Sequence, residues 1–253
     1  MNNSQKIPQQ PPLLPMPAGC VVGTLQERVK RFSVRCTVNG QEVWAHTNNS
    51  GSMLGLVPQG VQVLLSPAAN PARKLAWTLE LIGLPGGKEP VWVGVNTQTP
   101  NRLLKAAFYA GQLPWAAGYT QFSAEARCGE SRIDALLQGE GLPDLWVECK
   151  NVTLVEDGVA AFPDAVSTRA QKHMGTLMER VAAGQRAATF YCIERGDAAC
   201  FAPASYVDPD YSRLFLQSLK AGVEMYPHVV QADLSGIWLG PTLPLAPLAY
   251  IGV

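Results

Sequence analysis

Ser131-Arg132-Ile133-Asp134, followed fourteen residues beyond Asp134 by Glu148-Cys149-Lys150, is the stretch that decides the fold of this chain. Both pieces lie in runs, Arg132–Leu137 and Leu145–Val155, that read as consecutive strands joined through Gly139–Asp144. Successive side chains of a strand point to opposite faces. Glu148 and Lys150 therefore share one face about 7 Å apart, while Val147 and Cys149 turn toward apolar packing. A hairpin of the two strands brings Asp134 beside Glu148. Two carboxylates and an amine on one face suit phosphodiester hydrolysis. Hard oxygens hold Mg²⁺ or Mn²⁺, the cation offsets charge building on phosphorus, and the lysine orients or deprotonates the attacking water. The carbonyl of Cys149 is a further hard ligand. The expected metal set is thus Asp134, Glu148 and Cys149, and the expected catalytic set is Asp134, Glu148 and Lys150. An acid-x-Lys triplet is nevertheless cheap: with 20 acids in the chain, about 0.6 occurrences are expected by chance. Taken alone it fits a surface cross-strand pair equally well.

Downstream, Asp157-Gly158 signals a tight turn into Val159–Phe162, and a helix runs from Thr168 to Ala183 with Gly184 as its stop. Ala170, Met174, Leu177, Met178 and Val181 are its buried stripe. Arg169, Lys172 and Thr176 share another face with His173 beside them, which suits either a phosphate near the metal or a plain solvated surface. Ala187–Glu194 reads as a strand, Asp208-Pro209 opens a helix closed by Gly222, and Val223–Val230 and Ile237–Leu239 are terminal strands. Upstream, Thr99 at the N-cap and Pro100 at the first helical position start a helix that ends at Gly111, and Gln121–Cys128 is a strand. Residues 97–253 thus form an α/β domain with a mixed central sheet.

From Gly19 to Asn96 short strands alternate with turns: Val21–Glu27, Phe32–Val38, Glu42–His46, Val61–Ser66, Leu75–Leu81 and Val91–Val95. So many strands in one small domain, residues 18–96, suit a closed barrel of OB type. Arg28, Lys30, Arg31, Arg35, Arg73 and Lys74 face nucleic acid there or form an ordinary surface. Asn49-Ser50-Gly51-Ser52 makes a phosphate nest or a sharp bend, with the bend preferred. Trp44, Trp77 and Trp92 stack on unpaired bases or pack the core, and His46 is a structural histidine or a ligand. Residues 1–17, with prolines at 8, 11, 12, 15 and 17, are expected to be a flexible tail.

Composition narrows the class. Hydrophobic residues make up 47% of 253 and charged residues 16%, which excludes disorder of the whole chain. Net charge is zero, which excludes a simple polybasic binder. Residues 1–95 hold eight Lys/Arg against four acids, +4, so the rest carries −4. That asymmetry fits a binding module joined to a cation-dependent one, or scatter. Six cysteines without a CxxC pair, and three histidines, offer no zinc spacing and no disulfide scaffold. There is no signal-peptide pattern and no apolar run near 18 residues, so a cytoplasmic protein without membrane contact is expected.

Several blocks resemble the sugar fermentation stimulation protein A (SfsA) family: Asn48–Leu56, Asn70–Leu75, Val95–Arg102, Ser131–Asp134, Val147–Gly158, Phe162–Val166 and Arg169–His173, in matching order between Gly19 and Leu239. The resemblance implies an N-terminal OB-fold and a C-terminal domain like the PD-(D/E)xK nucleases. It matches Asp134 to the first metal-binding acid, Glu148 to the second and Lys150 to the lysine. Glu125 stands where the family also has an acid and is taken as a surface carboxylate. Cys149 departs from the aliphatic residue usual there. The resemblance further implies DNA binding without strong sequence preference and a regulatory part in sugar metabolism, with RNA also open as a partner. Arg132, Arg169, Lys172 and His173 join the barrel's basic residues as candidate nucleic-acid contacts. Cleavage by a Mg²⁺- or Mn²⁺-dependent phosphodiesterase is the alternative to binding alone.

Overall fold

The computed structural model describes residues 10–70 and 72–247. Residues 1–9 of the expected tail, Pro71 of the Asn70-Pro71 turn and residues 248–253 lie outside the described residues. After a two-residue strand β1 (Leu14–Pro15), five strands close a barrel. β2 (Val21–Val29) pairs antiparallel with β3 (Ser33–Val38) and with β5 (Gln62–Pro67). β3 pairs with β4 (Gln41–His46), and β5 pairs with β6 (Trp77–Leu84). A short parallel contact, Ala45 with Trp77 and His46 with Thr78, joins β4 to β6 and completes the ring. β7 (Val91–Gly94) extends the sheet beyond β6.

β2 serves two partners because it bends at a bulge between Leu25 and Glu27. Gly23 lies at the changeover, where a Cβ would come 2.9 Å from the Thr37 carbonyl and from Val38 Cγ2. The alternation seen in the sequence fills the interior: Leu25, Val34, Cys36, Val63, Leu65 and Leu79 are fully buried.

The second domain is built on a seven-stranded mixed sheet in the order β1-β16-β15-β13-β10-β9-β8. Its elements are α1 (Thr99–Tyr109), β8 (Gln121–Cys128), β9 (Ser131–Gln138), β10 (Leu145–Val152), β11 (Leu154–Glu156), β12 (Val159–Phe162), α2 (Thr168–Ala182), β13 (Arg186–Ile193), β14 (Cys200–Pro203), α3 (Pro209–Ala221), β15 (Glu224–Ala232) and β16 (Gly236–Thr242). β10, β13 and β15 run parallel, as their crossovers through α2 and α3 require. Leu103, Leu104 and Ala107 of α1 pack with Val147, Cys149 and Phe190 in one core cluster. Met174, Leu177, Tyr211 and Phe215 of α2 and α3 belong to other clusters, with Tyr191 and Trp146. β11, β12 and β14 form a separate small sheet. No described helix is long and apolar enough to cross a membrane.

Four local expectations need correction. The Pro-rich start is not loose where it is described: Leu14 and Pro15 pair with Ile237 and Gly236, Met16 N–H donates to Ser235 O, and Trp238 Nε1 donates to Gln10 O. An edge strand tolerates proline, and Leu13, Leu14 and Met16 supply apolar surface to the core. The run Leu145–Val155 is two strands, because the chain leaves the main sheet at Thr153 and starts the small one. The barrel strand expected at Leu75–Leu81 begins at Trp77 and reaches Leu84. Thr99 is the first residue of α1 rather than its cap; Gln98 holds that position and makes no side-chain cap bond. In α3, by contrast, the Asp208 side chain caps Tyr211 N–H and Gly222 closes the helix at φ +97°.

The two domains meet closely. Gly94 N–H donates to the Glu194 carbonyl, and a Cβ on Gly94 would lie 2.0 Å from Glu194 Oε2. Ser52 Oγ of the barrel donates to Asp164 Oδ2 at 2.8 Å, and Asn48 Nδ2 donates to Asn96 Oδ1 at 2.6 Å.

Candidate active site

Antiparallel pairing of β9 with β10 runs from Leu137–Leu145 to Ala135–Val147 and stops there, while β10 continues beside β13 to Val152. Where the two strands part, Cys149 N–H donates to Asp134 Oδ2 at 2.8 Å instead of to a β9 carbonyl. Asn101 of α1 donates to the other oxygen, Oδ1, at 2.8 Å. Asp134 is thus fixed in the fork. Glu148 and Lys150 lie on one face of β10, as the alternation requires, with Lys150 Nζ donating to Glu148 Oε1 at 2.7 Å. His173, which α2 carries over that face, sets its Nδ1 against the same Oε1. Glu148 and Lys150 are only 3% and 8% exposed, so this is a buried ion pair rather than a surface one. The Cys149 thiol turns into the core below α1.

The two carboxyls are driven apart. Burial, and next the charge of Glu148, raise Asp134 above the ordinary carboxylate value, against the pull of the Cys149 amide, Asn101 and Lys150. Burial raises Glu148 too, but attraction to Lys150 and the contact with His173 outweigh it and hold Glu148 low. Glu148 Oε2 is buried with no hydrogen-bond partner. The Cys149 carbonyl points to the same side of the strand as its N–H, into the fork. This donor set, two carboxylates with an unsatisfied oxygen and a backbone carbonyl, suits a hard divalent cation. Among the described residues no three His, Cys, Asp or Glu side chains gather as a metal-holding group. A cation here depends on backbone oxygen and water to complete its shell.

Asn101 carries no signal in the sequence, and His173, for which both a place near the site and a solvated surface stood open, lies against Glu148. His173 occupies a slot of the buried stripe, three residues after Ala170, and a polar residue in such a slot was the available signal. Thr176, read on one face with Arg169 and Lys172, is also buried, and its Oγ1 lies 3.3 Å from Ser131 Oγ. Arg169, Lys172 and Arg132 are exposed. Glu125 is exposed on β8 at φ +52°, as a surface carboxylate.

Most of the barrel's arginines are committed internally. Arg28 donates to the carbonyls of Asn49, Gly51, Ser52 and Arg31, and Arg31 Nε donates to Ser50 O. Arg35 is paired with Glu27 and Glu42, and Arg73 donates to Leu75 O, Trp77 O and Thr78 Oγ1. The Asn49–Ser52 loop is a bend whose carbonyls are clamped by arginines; Gly51 N–H donates to Asn49 Oδ1, and the carboxylate it receives is that of Asp164, through Ser52 Oγ and Met53 N–H. His46 stacks on Phe32.

Comparison with known proteins adds an independent line. The family described as the sugar fermentation stimulation protein RE domain matches residues 98–236, and the SfsA N-terminal OB domain matches residues 27–95. The sugar fermentation stimulation protein homolog of Lawsonia intracellularis is 50% identical over 251 residues, covering 90% of this chain and 96% of its own. That of Maridesulfovibrio salexigens is 48% identical over 237 residues, covering 93% and 98%. A solved structure, of Pyrococcus furiosus SfsA in complex with Ca²⁺, is similar with a TM-score of 0.85 at 24% identity, over 94% of this chain and 100% of that one. That likeness shows the same fold across both domains.

Proposed function

The chain belongs to the sugar fermentation stimulation protein family, and on that premise we propose that it is a DNA-binding protein whose second domain is a PD-(D/E)xK-type site for divalent-cation-dependent phosphodiester cleavage. The observation that carries this reading is the buried, unpartnered Oε2 of Glu148 beside Asp134, the Cys149 carbonyl and the Lys150 ammonium. A protein that only bound a polyanion has no physical need for two clustered carboxylates facing it. The Ca²⁺ held by the Pyrococcus furiosus relative is a hard cation with the same preference for oxygen as Mg²⁺ or Mn²⁺.

Each residue has a role in this reading. Asp134, Glu148 and the Cys149 carbonyl would hold Mg²⁺ or Mn²⁺. When bound, the cation supplies charge stabilisation at phosphorus and polarises the attacking water. Asn101 keeps Asp134 turned into the fork. Lys150 fixes Glu148 and presents an ammonium edge to the phosphate or the water. His173 braces Glu148 from α2. Arg132, Arg169 and Lys172, exposed and without a partner among the described residues, contact the phosphate backbone, which gives affinity with little sequence preference. The proposed setting is cytoplasmic, in keeping with six free cysteines.

A second reading, a DNA-binding regulator of sugar metabolism that keeps the site without cutting, is favoured by one observation: Glu148 Oε1 is already satisfied by Lys150 and His173. The test is to incubate the full chain with single-stranded DNA, duplex DNA and RNA in Mg²⁺, Mn²⁺ or EDTA, beside Lys150→Ala and Glu148→Ala. Cleavage that needs the cation and vanishes in both variants is expected. Salt-sensitive binding without cleavage, unchanged in both variants, overturns the first reading in favour of the second.

A further inference from the structure

The barrel carries a groove of about 680 Å³ whose lining includes Lys30, Val43, Trp44, Lys74, Leu75 and Trp77. These residues come from the β2–β3 turn, from β4, and from the approach to β6. In OB-type barrels, that combination of inner strands and connecting loops is the ligand-facing side. We propose that this groove grips an unpaired stretch of nucleic acid, with a base stacked on Trp44 and its flanking phosphates held by Lys30 and Lys74. The proposal rests on the nucleic-acid-binding reading above and deepens it by fixing the form of the polymer and a second place where it is held.

Charge is the first argument. The groove is lined by two cations and no acid. Of the barrel's six candidate basic residues, Arg28, Arg35 and Arg73 spend their guanidinium groups on carbonyls or carboxylates of the barrel itself, and Arg31 gives its Nε to Ser50 O and lies over the Phe32 ring. Lys30 and Lys74 are exposed, have no partner among the described residues, and are the two that line the groove. The cations free to meet a phosphate are thus concentrated there.

The second argument is the aromatic. Trp44 is 38% exposed and lines the groove together with Val43, Leu75 and Trp77, so that apolar surface is gathered there rather than scattered. Its Nε1–H donates to Glu42 Oε1, and Glu42 in turn is tied by Arg35, so the indole is held in one orientation. A fixed ring with an open face loses little entropy when a base stacks on it. Nearby, Phe32 is 46% exposed, stacked on His46 and covered by the Arg31 guanidinium, which continues the strip of stacking surface beside the turn. The volume falls within the roughly 300–1,000 Å³ of small-ligand sites, room for one or two nucleotides. In a duplex the faces of the bases are hidden in the stack, so a groove built around an aromatic selects unpaired strands.

The test is fluorescence anisotropy of the full chain, in EDTA to prevent cleavage, with labelled twelve-nucleotide (dT)12, (U)12 and a duplex of equal length. Trp44→Ala is expected to weaken binding to single strands about tenfold and to leave duplex binding unchanged. Lys30→Ala with Lys74→Ala is expected to flatten the slope of log Kd against log salt by about 0.7 per lysine. Lys74→Glu, on an exposed loop, repeats the loss without touching a strand of the barrel. Weaker (dT)12 binding with unchanged (U)12 binding, or the reverse, assigns the groove to one polymer and supports it. The proposal is overturned if Trp44→Ala and Lys74→Glu both keep wild-type affinity for single strands. If the wild type nevertheless cleaves in Mn²⁺, the groove fails and the active-site reading stands. A wild type that binds neither strand form in EDTA and cuts neither in Mn²⁺ overturns both.

Discussion

His173 of α2 and Glu148 of β10, 25 residues apart in the chain, meet with His173 Nδ1 against Glu148 Oε1. Lys150 donates to that same oxygen, so one lobe of the carboxylate is crowded while Oε2 is left buried and unmatched. A buried polar atom without a partner costs free energy, and at Glu148 a bound cation or water would remove that cost.

Removing the cationic side of this pair tests how much of the fold leans on it. Lys150→Met leaves Glu148 charged and buried with only His173 beside it, and is expected to lower unfolding free energy by about 3 kcal/mol in urea titrations. Glu148→Leu combined with Lys150→Met removes both charges and is expected to cost much less than Lys150→Met alone. Equal losses would show that the pair is not a coupled buried unit.

Asn101 acts on the site through Asp134. Asn101→Ala frees Oδ1 and is expected to weaken Mn²⁺ binding about tenfold in calorimetric titration, with thermal unfolding little changed. An unaltered titration would mean that the Asp134 orientation does not matter to the cation.

How much of this could be read beforehand differs from residue to residue. The barrel was legible because its strands are amphipathic: Val34, Cys36 and Val38 alternate toward the core, and a closed sheet must bury one face, although Phe32, read as the first of that series, lies before the strand and is exposed. The shared face of Glu148 and Lys150 followed from the period of a strand alone. Asn101 was not legible, since its hydrogen bond to Asp134 spans 33 residues and depends on where α1 crosses the sheet. His173 was legible only as one of two alternatives, because the pattern sets it beside Arg169, Lys172 and Thr176, and whether that side of α2 meets the site or solvent depends on how the helix packs over β10. The internal partners of the barrel's arginines were not legible, because charge is visible in a sequence whereas a carbonyl waiting 21 residues away, as Asn49 O is for Arg28, is not.

Glu194 sets a pH dependence for stability. It is fully buried, and burial, with the nearby charge of Glu80, pushes its carboxyl from the ordinary 4.5 up to about 8. A raised acid favours folding when protonated, so its contribution is complete below about 4.5, declines as pH rises, and is exhausted above about 8. Unfolding midpoints of the wild type are expected to fall across that window relative to those of Glu194→Gln, whose side chain does not titrate. Parallel curves for the two proteins would contradict the assignment.

Arg28 holds a loop rather than a ligand. Arg28→Ala strips hydrogen bonds from the carbonyls of Asn49, Gly51 and Ser52 and is expected to cost about 2 kcal/mol. Limited proteolysis should then cut first within residues 47–57. A variant as resistant as the wild type would return Arg28 to the list of surface contacts.

The loop that Arg28 clamps also reaches both helices that serve the site. Asn48 bonds Asn96 and Thr97, just ahead of the helix bearing Asn101, and Ser52 bonds Asp164, just ahead of the helix bearing His173. The first domain is therefore a jig for the second. A hybrid that grafts a foreign barrel onto the second domain is expected to keep Asn101 and His173 in place only if the graft brings its own Asn and Ser at those two clasps, which makes the pair of domains a single heritable part.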